Sequence, residues 1–173
     1  MPHEWRKHLA LQGRFHPQHA DDLQVIVHDG GPRISDRKPE LVWVTLTASQ
    51  GEVFAGKVLN RPSQLQTVSQ GDEIYFIVPK GGKQPLRVTE RYLRERPNWI
   101  IHPCEKCGLS ELFDAPSELF KAIFPDLRDD AVMESFTALC GLCGGFQLVQ
   151  HKDAVLDEAL TEESNRRWWQ FWK

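Results

Sequence analysis

The sequence predicts an α+β fold: a small, strongly bent antiparallel β-sheet or barrel, followed by a smaller cysteine-bearing part with an inserted helix. Three observations predict it. Between Leu23 and Val88, short β-rich runs alternate with Gly and Pro turns. Two C-x-x-C pairs follow, each preceded by a strand-like run. Between the pairs lies a short amphipathic helical pattern that ends at a proline.

The elements follow in chain order. Residues 3–12 carry a short helical pattern with Trp5 and Leu9 on one face. Phe15-His16-Pro17-Gln18-His19 reads as loop. Leu23 to Val27 is a strand, stopped by the turn residues Asp29-Gly30-Gly31-Pro32. Leu41 to Thr47 is rich in β-branched and aromatic residues and reads as a second strand. A turn at Ser49-Gln50-Gly51-Glu52 returns it as Val53 to Leu59, a hairpin partner. Gly56 inside that run signals a bulge or bend. Gly71-Asp72 opens the run Glu73 to Val78, and Gly81-Gly82 turns the chain into Leu86-Arg87-Val88. Thr89 caps a helix from Glu90 to Arg96, stopped by Pro97. Trp99-Ile100-Ile101 is a strand. Ser117 to Phe124 is the inserted helix, with Leu119, Phe120, Ile123 and Phe124 on one face and Pro125 at its end. Ser135 to Leu139 and Phe146 to Val149 complete the strands, and Asp153 to Arg166 reads as a last, mostly polar helix. The chain divides into an N-terminal segment (1–22), a β-rich domain (23–98), a cysteine-bearing part (99–151) and a C-terminal helix with an aromatic tail (152–173).

The 173 residues suffice for one domain with its own core. A hydrophobic share of 40% against 26% charged fits a globular chain. The net charge is −3, which counts against nucleic acid as a partner, since such binders carry a strong basic excess or patch. No apolar run approaches the ~20 residues of a membrane span. Met1-Pro2-His3-Glu4-Trp5 lacks the apolar core of a secretory signal, so a cytoplasmic location is expected.

The four cysteines are Cys104, Cys107, Cys140 and Cys143, with 32 residues between the pairs. In a reducing compartment this pattern reads as metal before disulfide. Two intervening residues let one tight turn aim both sulfurs at one ion, and two such turns make a tetrahedral thiolate site suited to structural Zn²⁺. A glycine follows the second cysteine in both pairs, Gly108 and Gly144, where the backbone must turn sharply. Four thiolates leave no open position, so the zinc is read as structural. A thioredoxin-type role for Cys140-Gly141-Leu142-Cys143 would need a helix after the first cysteine, and a strand-like run follows instead. His102, two residues before Cys104, is expected to be a neighbour of the site that orients its ligands.

The knuckles resemble those of zinc ribbons, with a longer gap than the ~15–20 residues of a compact ribbon. The stretch from about Leu23 to Val149 also resembles an uncharacterised group of bacterial proteins, a domain of unknown function with such C-x-x-C knuckles. The resemblance is carried by Asp29-Gly30-Gly31-Pro32-Arg33, Glu40-Leu41-Val42-Trp43-Val44, Gly71-Asp72-Glu73-Ile74 and Arg96-Pro97-Asn98-Trp99. To these add both knuckles and Gly108-Leu109-Ser110-Glu111-Leu112-Phe113-Asp114. The Gly-Asp before a β run is similar to small bacterial domains of toxin-immunity neighbourhoods. The resemblance implies a bacterial origin and an interaction role. It implies no catalytic residues.

No phosphate loop or nucleophile motif stands out. His16, His19 and His28, with Asp21, Asp22 and Asp29 nearby, could build a second metal or acid–base site; scattered surface histidines account for them better. Arg87, Arg91, Arg94 and Arg96 are offset by Glu90 and Glu95 and read as a solvated helix face. The tail Arg166-Arg167-Trp168-Trp169-Gln170-Phe171-Trp172-Lys173 holds three of the six tryptophans. Trp168, Trp169, Phe171 and Trp172 either fold back on the domain, dock in a partner protein, or touch a membrane surface weakly. The sequence as a whole reads as a non-enzymatic zinc-binding protein-interaction module, an adaptor or immunity-type inhibitor. A nucleic-acid-binding zinc ribbon and an enzyme with an unrecognised site are the alternatives.

Overall fold

Leu23, Val25 and Val27 alternate with more exposed neighbours along one strand, and that period of two sets which face turns inward. The computed structural model describes residues 3–131, 133–156, 159, 160 and 162. Within it, the strands are β1 (Phe15–His16), β2 (His19–Val27), β3 (Glu40–Gln50), β4 (Val53–Val58), β5 (Glu73–Ile77) and β6 (Leu86–Val88). They form one antiparallel meander in sequence order. The sheet curls until β6 meets β2 in parallel at Ile26 and Leu86, where the Ile26 N–H donates to the Pro85 carbonyl at 2.8 Å. Inward residues of all the long strands, from Leu23 and Val44 to Phe54 and Phe76, fill the interior.

The bend has a local cause. Gly56 on β4 faces a register shift between Leu46 and Ala48 on β3. A side chain on Gly56 would collide with Val44 and stand 2.8 Å from the Thr45 carbonyl oxygen. The bare backbone lets the two strands close up there, so this glycine marks the bulge its position suggested.

The second part begins with α1 (Glu90–Glu95), whose cap is Thr89: its hydroxyl accepts from the Tyr92 N–H at 3.1 Å. Then come β7 (Trp99–Ile101), α2 (Pro116–Ile123), β8 (Ser135–Leu139) and β9 (Phe146–His151). The three strands pair antiparallel in the order β7-β9-β8. Their inner face, Ile101, Phe136, Ala138 and Val149, packs with Tyr92, Leu112 and Leu119. Their outer face is bare at Phe146 and Leu148, which are 56% and 41% exposed. The fold class is thus α+β, a curled six-stranded sheet followed by a three-stranded sheet with helices. No helix among the described residues is long and apolar enough to cross a membrane.

Two readings need correction at the N-terminus and in the first sheet. Residues 4–7 and 9–11 form two short 3-10 turns, not one helical face. The changed pitch buries Leu11 in the barrel and leaves Leu9 88% exposed. Phe15-His16 is a strand paired to β2, not loop. In the last helix, residues 152–156 are helical, and most of the remaining span lies outside the described residues.

Candidate metal centre

Each cysteine pair sits in the same backbone knuckle. The Cys104 carbonyl accepts from the Gly108 N–H at 2.9 Å, and the Cys140 carbonyl accepts from the Gly144 N–H at 2.9 Å. The Cys104 N–H donates to the Leu109 carbonyl at 2.8 Å, and the Cys140 N–H to the Gly145 carbonyl at 2.7 Å. Gly108 and Gly144 take φ of +77° and +71°, the left-handed turn that favours glycine. Burial repeats as well: Cys104 and Cys140 are buried, Cys107 and Cys143 exposed. Two copies of one turn, from β7 and from β8, face each other.

The four sulfurs lie within 4.8 Å of one another. Cys104 Sγ is 3.4 Å from Cys143 Sγ, and Cys107 Sγ is 3.6 Å from Cys140 Sγ. These separations are far from a disulfide's ~2.05 Å. They are close to the roughly 3.8 Å between sulfurs bound tetrahedrally at ~2.3 Å from a zinc ion. The donor set is all thiolate, the shell is closed at four, and both features fit a structural Zn²⁺.

Burial works against ionising Cys104, Cys107 and Cys140. At Cys104 the N–H groups of Cys107 and Lys106 outweigh burial and bring the pKa down to about 7. At Cys107 and Cys140 burial prevails and the pKa is raised. A divalent cation bound by these four sulfurs would supply the charge that favours their thiolate forms. The surroundings leave little slack. A Cβ on Gly145 would stand 2.7 Å from Cys104 Sγ, and the Gly145 N–H donates to Cys143 Sγ at 3.4 Å. Cys104 and Cys140 pack with Leu86, Leu109 and Phe113, next to Ile26, so the centre adjoins the seam where the barrel closes.

His102 lies at the end of β7, with Nε2 2.6 Å from Gln150 Oε1. The four-sulfur group is complete without it. The other histidines are dispersed. His16 and His19 rings lie 4.9 Å apart, with His16 edge-on to Trp43. Asp21 holds Arg6 and Trp5, and Asp22 holds Thr45. His28 is no surface residue: it is 1% exposed. Its Nδ1 accepts from the Gly30 N–H at 3.1 Å, and its Nε2 lies 2.9 Å from the Arg87 carbonyl oxygen. Both ring nitrogens are used, so the ring serves as a neutral pin. The reading of His16, His19 and His28 as one site is therefore set aside. Arg91 pairs with Glu95 and Glu118, and Arg96 with Glu111, which leaves a paired helix face. Trp168, Trp169, Phe171 and Trp172 lie outside the described residues.

Sequence reasoning missed two buried groups in this half of the chain. Asp114 is buried, and its Oδ2 accepts from the Gly31 N–H at 2.7 Å across 83 residues. Tyr92 is fully buried, its hydroxyl donating to Glu111 and accepting from the Leu112 N–H at 3.1 Å. Periodicity marks Tyr92 as apolar filling, and nothing local pairs Asp114 with Gly31. The signal was the recurrence of Gly30-Gly31 and Phe113-Asp114 among the residues that carry the resemblance.

Comparisons of the chain with protein-family models, with curated proteins and with solved structures find no match. The bacterial family is thus not identified, and the clustered cysteines are the part of that resemblance that the structure supports.

Proposed function

We propose that this chain is a non-enzymatic protein-interaction module whose C-terminal half is held by one structural Zn²⁺, serving as an adaptor or as an inhibitor of another protein in the reducing cytoplasm of a bacterium. The carrying observation is the outer face of the three-stranded sheet. Phe146 and Leu148 on β9, with Leu142 of the second knuckle, are large apolar residues left in water. Leu139 stands opposite Phe146 in the register, and Leu148 follows two residues on along the same face, so these three apolar positions adjoin. A contiguous apolar face on a metal-fixed sheet is the chemistry of an interface core. The aromatic tail, with Trp168, Trp169, Phe171 and Trp172, adds hot-spot residue types to the same C-terminal part.

A photo-crosslinking residue placed at Phe146, at Leu148 or at Trp169 tests this in native cells. The reading expects one protein captured in stoichiometric amount from these positions and not from Glu52, on the barrel's exposed β3–β4 turn. Nucleic acid as the only captured species, released steeply by salt, would replace it with the nucleic-acid alternative.

A further inference from the structure

A cleft of about 490 Å³ lies between the barrel and α2. Two groups of opposite charge line it, and each is only half satisfied. Asp114 is 6% exposed. Its Oδ2 accepts from Gly31, while Oδ1 has no donor among the described residues and opens on the cleft. Arg87 is half-buried in the other wall. Its Nη1 donates to the His28 carbonyl at 2.8 Å and to Thr67 Oγ1 at 3.1 Å. Its Nε and Nη2 have no acceptor among the described residues. The two groups do not pair with each other. The charge beside Asp114 is Glu118, and those beside Arg87 are Asp29 and Asp72. Asp29 is already filled by the N–H groups of Gln66 and Thr67 and by the Thr67 hydroxyl. The lining also includes the apolar side chains of Ile34, Phe113 and Ala122.

A buried carboxyl with open lone pairs calls for a donor, best a cation. A guanidinium with one free edge calls for a planar, bidentate anion. We propose that this cleft binds a small zwitterion, an amino acid or a dipeptide, with its ammonium on Asp114 and its carboxylate on Arg87. The apolar lining takes the ligand's side chain. Burial holds the Asp114 carboxyl up at about 6, and the N–H of Gly31 only partly offsets it. A bound ammonium supplies the missing counter-charge. Arg91 and Lys121 also line the cleft; both are exposed and engaged with Glu118 and Asp129. The site is on the α2 side of the three-stranded sheet, opposite the outer apolar face, and does not depend on the interaction reading.

Calorimetry and NMR on the metal-loaded full chain test the proposal, with L-leucine and L-leucyl-L-leucine as probes. Saturable binding of at least one probe is expected, with shifts of the Gly31 amide and the Asp114 carboxyl carbon. Blocking the amine as the N-acetyl form, or the carboxylate as the amide, is expected to weaken binding at least about tenfold each. Asp114→Asn and Arg87→Lys are expected to do the same at unchanged metal content. Should Arg87→Lys fail to fold, the amide-blocked dipeptide probes the same pole. No saturable binding by either probe overturns the proposal. So does equal binding of either blocked form, or of the Asp114→Asn variant.

Discussion

Phe113 stacks on His28 with ring centroids 4.1 Å apart and planes 17° from parallel. A side chain on Gly141 of the second knuckle would collide with the same Phe113 ring. Phe113 is therefore one part through which the second knuckle bears on the barrel. Next to it, Asp114 ties the same segment to Gly31 at 2.7 Å. Thus an aromatic stack and a buried hydrogen bond, both beside the cleft, join the cysteine-bearing half to the barrel, in addition to the core that Cys104 and Cys140 share with Leu86.

Gly141→Ala is expected to destabilise the protein by about 1–3 kcal/mol, through overpacking against Phe113. Phe113→Ala is expected to cost about 3–5 kcal/mol through the cavity it leaves. In the double variant the new methyl meets that cavity, so the cost should fall short of the sum by about 0.5–3 kcal/mol. Denaturant unfolding of the four proteins gives the cycle. Additive costs would show that Gly141 does not act through Phe113.

The knuckle glycines differ in kind. Gly145→Ala puts a methyl 2.7 Å from Cys104 Sγ, so it should weaken zinc affinity, by roughly 10–100-fold. Gly108 has open space around it but a φ of +77°. Gly108→Ala should therefore cost about 1–2 kcal/mol of stability while leaving the metal shell intact. Competition with a chromophoric chelator, paired with thermal unfolding, separates the two effects. Equal loss of affinity in both variants would contradict the assignment.

Two buried groups set opposite pH dependences over one window. His28 is held neutral by burial, its pKa lowered from 6.5 to about 4, so its contribution is lost as pH falls from 6.5 through 4. Asp114 is raised by burial from 3.8 to about 6, so its contribution is full below 3.8 and is lost as pH rises through 6. Each amounts to about 3 kcal/mol, and in the native protein the two largely offset. Asp114→Asn keeps an acceptor for Gly31 and removes one of the two. Relative to the native protein, the variant should gain about 3 kcal/mol between pH 4 and pH 6.5. Protonation of the metal-binding thiols enters both proteins alike and cancels in the difference. A difference that is flat across this range would refute the buried-carboxyl assignment.

Tyr92→Phe leaves the Leu112 N–H without its partner and removes a donor from Glu111, which also holds Arg96 at 2.7 Å. The expected cost is about 1–3 kcal/mol, with full metal content. Chemical unfolding and metal analysis on the same sample read both quantities. A stability change near zero would show that this buried network carries no net weight.

Regular local patterns were legible in the sequence. The alternation in Leu23 to Val27, the cap at Thr89, the stop at Pro125 and the C-x-x-C-G knuckles each depend on residues a few positions apart. They led to strands β2 to β9, to both helices and to the cysteine cluster. What was not legible depends on distant partners. Nothing near His28 shows that Arg87 and Phe113 will enclose it, and nothing near Asp114 points to Gly31. The barrel closes at one ladder pair, Ile26 with Leu86, and at the His28–Arg87 contacts beside it, inside an otherwise ordinary meander. Leu9, expected on the inner face with Trp5, stands in water and Leu11 in the core, because a 3-10 turn advances the chain by a different angle than an α-helix does.

The central claim is that one zinc ion bound by four sulfurs holds the C-terminal half. X-ray absorption at the zinc edge, on protein whose metal content has been measured, tests it most directly. The expected result is one zinc per chain with four sulfur neighbours at about 2.3 Å. No stoichiometric zinc, or a shell in which a nitrogen from His102 replaces a sulfur, would contradict it.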